Sequence, residues 1–379
     1  MPEATFVIDA DTKVVAGNRF RINFYAGKDL GEQKKGTTMR YIKFGNTSLN
    51  ISELGFGGIP IIRLNKVSAV KLVRRAYERG ITFYDTANAY RDSEEKIGCA
   101  FQGMREKVVI ATKTLRRDAQ GATQQLENSL RMLKTDFIDL YQLHQIAQEK
   151  DLNAVIAPGG ALEAVFKARK EGKVRFIGVT SHNLSMALNL VKTDLFSSIQ
   201  FPFNFIEEVA KDELHAIAKE RGLGILAMKP FAGGMIDNAD IAFKFLRQYP
   251  DVVPIPGFDS VDGVDEIISF YERPNVVTEQ DWQLMEKYRT ELGKHFCRRC
   301  EYCQPCPNGV MITIAMGYKI LASRMSPVVS VDFARAAMES VKLCDECGTC
   351  LERCPYELPI QEMLKANYDL YKRHRAEFV

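Results

Sequence analysis

From Ile51 onward, short and almost continuous apolar runs alternate with stretches of helical period. The runs lie at 54–58, 83–87, 108–113, 138–144, 176–181, 198–204, 224–230 and 252–258. Each is bounded by turn residues, the pattern of strands buried on both faces of a parallel sheet. In the stretch 68–79, Val70, Leu72, Val73 and Ala76 form one apolar stripe, so it reads as an amphipathic helix. The stretches 122–133, 160–170, 208–221 and 239–249 read the same way. Gly222 stands where a helix-ending glycine belongs. Eight strands alternating with helices predict an α/β fold, a (β/α)8 TIM barrel. An open doubly wound sheet is the rival, but eight repeats suit closure and no G-x-G-x-x-G follows the first strand.

Beyond the barrel, Thr278 is placed to cap a helix through Asp281, Leu284 and Tyr288 to Leu292, with Glu279 in its first turn. Helical patterns follow at 312–324 and 331–341, and the charged tail from Pro359 also reads as helical. The organisation expected is a barrel over 39–292 and a small second domain over 293–379. Residues 1–38 alternate only weakly through Phe6, Val7, Val14, Val15, Phe20, Ile22 and Phe24. They read either as a β arm or as an upstream extension.

The chain has 379 residues, 46% hydrophobic and 26% charged, with 51 Lys plus Arg against 48 Asp plus Glu. That balance excludes a mainly disordered chain and gives no basic surplus for nucleic acid. No run approaches the ~20 apolar residues of a membrane span. Residues 1–10 lack the basic-then-apolar order of a signal peptide, so the expected setting is the reducing cytoplasm.

Nine cysteines then change the picture, because eight fall after residue 296. Such clustering in an unsecreted chain argues for metal over disulfides. Cys344, Cys347, Cys350 and Cys354-Pro355 have the bacterial-ferredoxin spacing that ligates [4Fe–4S] clusters. Cys297, Cys300, Cys303 and Cys306-Pro307 form a similar set, one residue shorter before the last cysteine. Eight thiolates suit two cubes of four ligands each. By the ferredoxin pattern, the last cysteine of each group reaches the other group's cluster. Cys354 then joins Cys297, Cys300 and Cys303, and Cys306 joins Cys344, Cys347 and Cys350. The rival is zinc, for which two C-x-x-C knuckles use only four of the eight thiols and leave the Cys-Pro endings without a role. Cys99 reads as a small core hydrophobe. The second domain is therefore expected to be a small α-helical, ferredoxin-like iron–sulfur domain.

Four polar residues sit where a barrel concentrates its chemistry, at the C-terminal ends of successive strands. Asp85 lies near the end of the second run, with Tyr90 in the loop after it. Lys113 ends the third run and His144 the fourth. Any one alone is unremarkable, but together they can move a proton. A tyrosine is a poor acid near neutrality. A lysine ammonium beside it is expected to lower its pKa, with an aspartate holding the lysine. A histidine could orient a carbonyl or help relay the proton.

The segment Gly80-Ile81-Thr82-Phe83-Tyr84-Asp85-Thr86-Ala87, with Tyr90 and Ser93-Glu94-Glu95 after it, resembles the signature of the aldo-keto reductase family. So do Ile110-Ala111-Thr112-Lys113 and Asp139-Leu140-Tyr141-Gln142-Leu143-His144. The resemblance covers 39–292. With the cysteine tail it points to the branch carrying a C-terminal ferredoxin-like domain. It implies a catalytic tetrad of Asp85, Tyr90, Lys113 and His144, with Tyr90 as general acid in carbonyl reduction. It also implies a nicotinamide nucleotide across the barrel mouth. Thr180 and Ser181 stand where the family holds the carboxamide, with Ser181 in place of the family's Asn. Gln200 resembles the glutamine on strand six. Phe231 lies in the counterpart of the pyrophosphate loop. Gly257 and Asp259 lie in that of the adenosine-phosphate loop. Gly58 and Asp85 lie beside the expected ribose and substrate.

The family's usual cation for the 2′-phosphate of NADPH is replaced by Gly257 and Gly263. No cation stands in 257–266, and Asp259, Asp262, Asp265 and Glu266 add negative charge. The resemblance therefore implies NAD(H) in preference to NADP(H), unless a basic residue such as Arg298 or Arg299 folds over this loop. The expected function is hydride transfer between a nicotinamide cofactor and a small carbonyl or alcohol, with two [4Fe–4S] clusters passing electrons to or from a redox partner protein. The alternative is a nucleotide-binding redox sensor or regulatory subunit in which the clusters are structural or sensory.

Overall fold

The computed structural model describes residues 39–323 and 325–378. The reading of residues 1–38 lies outside the described residues. An antiparallel hairpin comes first, β1 (Tyr41–Lys43) and β2 (Asn50–Ser52). Eight parallel strands follow: β3 (Gly55–Gly57), β4 (Phe83–Asp85), β5 (Val109–Thr114), β6 (Ile138–Leu143), β7 (Val174–Thr180), β8 (Ser198–Pro202), β9 (Gly224–Met228) and β10 (Val252–Pro254). They pair in chain order. Gly57 bridges to Gly257, and its N–H donates to the Pro256 carbonyl at 2.7 Å. The sheet thus closes on itself as the (β/α)8 barrel.

The helices between the strands are α1 (Lys66–Glu78), α2 (Ser93–Phe101), α3 (Ala119–Leu133), α4 (Glu149–Ile156), α5 (Ala161–Lys170), α6 (Leu184–Val191), α7 (Leu214–Glu220) and α8 (Ala239–Leu246). After β10 come α9 (Val261–Tyr271) and α10 (Glu279–Gly293). Thr278 caps α10 and exchanges bonds with Asp281 as a capping box, as the sequence predicts.

The hairpin, which the apolar pattern does not announce, plugs the N-terminal end of the barrel. Gly45 turns with φ +55°, and a Cβ there would stand 2.4 Å from the Gly224 nitrogen. Phe44 in turn fills the space above Gly224, where a Cβ would meet its ring at 2.3 Å. Phe44, Phe83, Val109, Ala111, Leu140, Leu226 and Val253 form the inner core. Tyr84, Ile110, Tyr141, Ile199 and Ile225 belong to the outer core between strands and helices. This period of two sorts every strand into an inward and an outward face.

His215 of α7 packs edge-on against Phe203, with ring centres 4.5 Å apart. Its buried Nδ1 has no partner among the described residues, and burial pushes its pKa down to about 4. The unfolded chain binds this proton near pH 6.5, so stability is lost as pH falls from there toward about 4. His215→Phe removes that loss. Between about pH 7 and pH 5 the variant's Tm is expected to fall less than the wild type's, the difference in slope reaching at most about 1.4 kcal/mol per pH unit. Parallel pH dependences would refute it.

The C-terminal region comprises α11 (Ile312–Met316), α12 (Tyr318–Ala322), α13 (Pro327–Ser340), α14 (Thr349–Glu352) and α15 (Ile360–Phe378). Val310, Ile312, Met316, Tyr318, Val331, Met338, Leu364 and Tyr371 form its own core. The single helix expected over 312–324 is broken at Gly317. The Asn367 amide donates to the Ala315 and Met316 carbonyls at 2.9 and 3.0 Å, satisfying groups that the break frees. No helix among the described residues is long and apolar enough to cross a membrane.

Candidate active site and cysteine cavities

The inward face that carries Phe83, Val109 with Ala111, and Leu140 lower in the barrel carries Asp85, Lys113 and Gln142 at its C-terminal rim. His144 follows two residues later. The Lys113 ammonium donates to Asp85 Oδ1 at 2.6 Å and to the Thr86 carbonyl at 2.7 Å. Gln142 Nε2 donates to the other Asp85 oxygen at 3.0 Å. Lys113 and Asp85 are 1% and 3% exposed, so neither charge is stable without the other. Tyr90 hangs from the loop after β4. Lys113 Nζ lies 5.1 Å from its ring centre, and His144 meets the ring edge-on at 5.8 Å. The four residues singled out from strand ends are thus brought together.

Their electrostatics differ from expectation at one point. Burial pushes the Tyr90 phenol up, and Asp85 adds to the rise. The ammonium of Lys113 was expected to lower it, but that charge is spent on Asp85 and Thr86. The phenol therefore keeps its proton. Burial, with Lys113 and Arg117, pushes His144 down to about 3. Its imidazole is neutral, and its buried Nδ1 has no partner among the described residues.

Gln200 is inward-facing on β8 and bonds Asp85, while its buried Oε1 has no partner among the described residues. That orphaned acceptor fits an amide donor such as a carboxamide. Phe231 sits in a loop where Lys229, Ala232, Gly233 and Gly234 all have positive φ. Such runs can form anion-binding concavities, although here the Ala232 and Gly234 N–H groups donate to the Lys229 and Phe231 carbonyls at 2.8 and 2.6 Å. Gly57 and Gly257 let the β3 and β10 loops touch. A Cβ on Gly257 would stand 2.5 Å from Pro60 Cγ.

Thr180 and Ser181 are engaged otherwise. Thr180 Oγ1 accepts from the Gln145 N–H at 2.8 Å, and Ser181 Oγ turns back on Asn183. Gly58 is required by close approach, since a Cβ would meet the Asp85 carbonyl at 2.9 Å and Ser93 Oγ at 2.8 Å. Asp259 pairs with Arg63 of the turn Pro60–Arg63 at 3.3 Å. The cation absent from 257–266 therefore arrives from the opposite side of the closure. Asp265 is likewise bridged by Arg75 and Arg79.

The eight clustered cysteines border two adjacent cavities. Cys297, Cys300, Cys303 and Cys354 line one. Cys306, Cys344, Cys347 and Cys350 line the other, with Cys303 at the shared edge. Ile312 borders both, and Leu364 on one side and Met316, Leu358 and Ile360 on the other make the walls apolar. Among the described residues no three His, Cys, Asp or Glu side chains converge as a single-ion site. The thiols enclose a volume and do not meet at a point, which suits a polyatomic cluster better than one zinc ion. Burial pushes the Cys300 and Cys303 thiols up to about 11 and about 12. Cys99 is half-buried in α2.

The first cysteine loop lies directly on the barrel mouth. Asn183 Nδ2 donates to the Cys300 carbonyl at 3.1 Å, and Gln145 Nε2 to Glu301 Oε1 at 2.9 Å. Phe296 is part of the barrel's outer core. This contact brings in His182, Glu207 and Lys229, which the sequence reading does not assign to the site, and Arg299, which it offers as a cation for the 257–266 loop; Arg299 acts instead on Tyr90, His182 and Lys229, and the cation at Asp259 is Arg63. His182 ends a strand just as His144 does, which was the available signal.

The family model described as the Aldo/keto reductase family matches residues 53–242, half of the chain. The chain belongs to the aldo/keto reductase family. A second model, a 4Fe-4S dicluster domain, matches residues 296–358, so this aldo/keto reductase carries a C-terminal iron–sulfur domain. It is 30% identical over 226 residues to the uncharacterized oxidoreductase YqkF of Bacillus subtilis, spanning 55% of this chain and 71% of that one. It is 28% identical over 211 residues to the L-galactose dehydrogenase of Arabidopsis thaliana, spanning 51% and 65%. The barrel resembles the holo form of an aldo-keto reductase from Bacillus halodurans with TM-score 0.58 and 22% identity, over 66% of this chain and 96% of that one. It also resembles a Klebsiella pneumoniae aldo-keto reductase in complex with NADPH, with TM-score 0.55 and 23% identity, over 66% and 95%. The latter two likenesses are of fold.

Proposed function

We propose that this aldo/keto reductase interconverts a small-molecule carbonyl and alcohol with a nicotinamide nucleotide, and that its cysteine domain, 293–379, passes single electrons between that nucleotide and a redox partner protein. The observation that carries this reading is the meeting of Tyr90, Lys113, Asp85 and His144 directly beneath the loop bearing Cys297–Cys303. When bound, nicotinamide would supply a hydride, which carries both electrons the carbonyl needs, and two one-electron clusters would relay such a pair between the nucleotide and the partner one electron at a time. Gln200 Oε1 and the Lys229–Gly234 loop would hold the nucleotide. The Tyr90 phenol, kept protonated by burial, donates to the carbonyl oxygen as alkoxide character develops there. The neutral His144 imidazole orients that oxygen, and the Lys113–Asp85 pair fixes the phenol's surroundings. Cys297, Cys300, Cys303 and Cys354 would hold one [4Fe–4S] cluster, and Cys306, Cys344, Cys347 and Cys350 the other. A binding subunit without turnover has no use for all four polar groups at the barrel rim.

The test is anaerobic screening of carbonyl compounds with NADH and NADPH while the visible spectrum of the clusters is followed. Carbonyl-dependent NADH oxidation with spectral change in the clusters is expected. Absence of any nicotinamide turnover across the panel would refute the reading. Turnover with silent clusters would make the cysteine domain structural.

For the cofactor, we expect NADH to bind about 10-fold tighter than NADPH, a difference of about 1.4 kcal/mol. Asp259 stands where a 2′-phosphate would come, and Arg63 is already engaged with it. Asp259→Ser frees Arg63 for the phosphate and should reverse the preference. Adding Arg63→Ala should cancel that reversal. Fluorescence titration of the intact protein reads all three, and tighter NADPH binding by the wild type would contradict the proposal.

A further inference from the structure

The cations around the barrel mouth are engaged one by one. Lys113 holds Asp85. Arg117 donates to the His144 and Gln145 carbonyls at 3.0 and 2.8 Å and pairs with Asp151 at 3.4 Å. Lys229 shares a buried pocket with Glu207, and Asn204 Nδ2 donates to both the Lys229 carbonyl and Glu207 Oε2. Arg298 lies 3.8 Å over the Tyr356 ring and donates to the Gly293 carbonyl at 3.4 Å. Arg299 differs. Among the described residues, no carboxylate stands within ion-pair distance of its guanidinium.

Its backbone is nevertheless held in place by its neighbours. Arg299 has φ +60°, uncommon for a residue with a Cβ. The two residues after it are tied to the barrel, Cys300 through Asn183 and Glu301 through Gln145. Those partners directly follow His182 and His144. Gly317 leaves room behind the guanidinium, where a Cβ would stand 3.1 Å from Nη2. The charge of Arg299 acts on Tyr90, His182 and Lys229. Beside it, the buried Nδ1 of His182 has no partner among the described residues. Arg299 also acts on the buried Glu207, but that carboxylate faces Lys229 and Arg298 as well, so the cations outnumber it beside the unsatisfied imidazole and the protonated phenol.

We propose that Arg299 and His182 form a carboxylate subsite next to Tyr90, so that the preferred substrates are oxo acids, with the carboxylate close to the reacting carbonyl. A guanidinium offers a carboxylate two parallel charge-assisted bonds. A site built around such a bond rejects the analogue that lacks the charge. The proposal rests on the reductase reading above and adds the substrate class. It also makes the barrel site incomplete without the cysteine domain, which supplies Arg299.

The probes are phenylglyoxylate and its methyl ester, titrated calorimetrically into anaerobic, cluster-loaded protein. The acid should bind about 10- to 100-fold tighter than the ester. Arg299→Gln should abolish that margin, and Arg299→Lys, which keeps the charge, should retain part of it. Should Arg299→Gln fail to load its clusters, His182→Leu, which changes only the barrel, should reduce the same margin. Equal affinity for acid and ester would overturn the subsite. So would an Arg299→Gln variant whose potentials shift while its affinity for the acid does not, since Arg299 would then only balance cluster charge. Turnover separates the two readings. Acid that binds tightly but is never reduced overturns the reductase and leaves the subsite. Acid and ester reduced alike do the reverse.

Discussion

Tyr90→Phe lowers kcat/KM for carbonyl reduction by about 10²–10⁴-fold, the usual contribution of a positioned proton donor. The substitution removes one oxygen and leaves the ring against His144 and Lys113, so nucleotide affinity should stay close to that of the wild type. The direction of the Tyr90 shift gives the pH dependence. Burial and Asp85 raise its pKa above 10, so the donating form is complete throughout the neutral range and is lost only in alkali. His144, held near 3, adds no inflection between about pH 5 and 8, where an ordinary histidine would titrate. The rate should therefore be level across that range. Lys113→Met is a less clean test. It leaves Asp85 buried without its counter-charge, at a cost of about 3–5 kcal/mol, and so mixes stability with catalysis. Anaerobic steady-state kinetics with a parallel nucleotide titration decides the matter. Full carbonyl-reducing activity in Tyr90→Phe would mean that the proton comes from elsewhere.

What could be read from the chain depended on how local its cause is. The eight barrel strands are announced by apolar runs because both faces of a parallel strand are buried. Asp85, Lys113 and His144 were legible because each ends such a run, on the face that period two turns inward. The β1–β2 hairpin was missed because three-residue strands are too short to show a pattern. Gly45-Asn46 at its turn was the usable signal. The helix over 312–324 looked continuous because its break is satisfied by Asn367, some fifty residues away in sequence. Distance also hid the charges. The upward shift of Tyr90 comes from burial and from Asp85. The counter-ion of Asp259 is Arg63, and a guanidinium that acts on Tyr90 comes from between two cysteines. No window of sequence contains either partnership. Thr180 and Ser181 show the converse, since their hydroxyls suit a carboxamide by position but are used by neighbouring backbone.

The cysteine cavities lead to the second large effect. Two cubes on eight thiolates require about eight irons and eight sulfides per chain. Cys306 and Cys354 are the informative positions, because each closes a cavity otherwise lined by the opposite group. Cys354→Ala should lower iron to about four per chain, as should Cys306→Ala, each variant losing one cube of four irons. The pairing then follows from double variants. Cys354→Ala with Cys297→Ala strikes one cavity twice, so iron should stay at about four per chain. Cys354→Ala with Cys344→Ala strikes both, so iron should approach zero. If each group instead kept its own last cysteine, the two double variants would exchange results. The same experiment excludes zinc on independent grounds, because stoichiometric zinc without sulfide in anaerobically purified wild-type protein would overturn the assignment. The first cavity matters more for activity, since its loop is the one bonded to Asn183. A protein that retains only the cube of Cys344, Cys347, Cys350 and Cys306 should therefore lose Arg299 from the barrel mouth along with the nearer cluster. Its carbonyl reduction should fall further than that of the protein lacking only the outer cube.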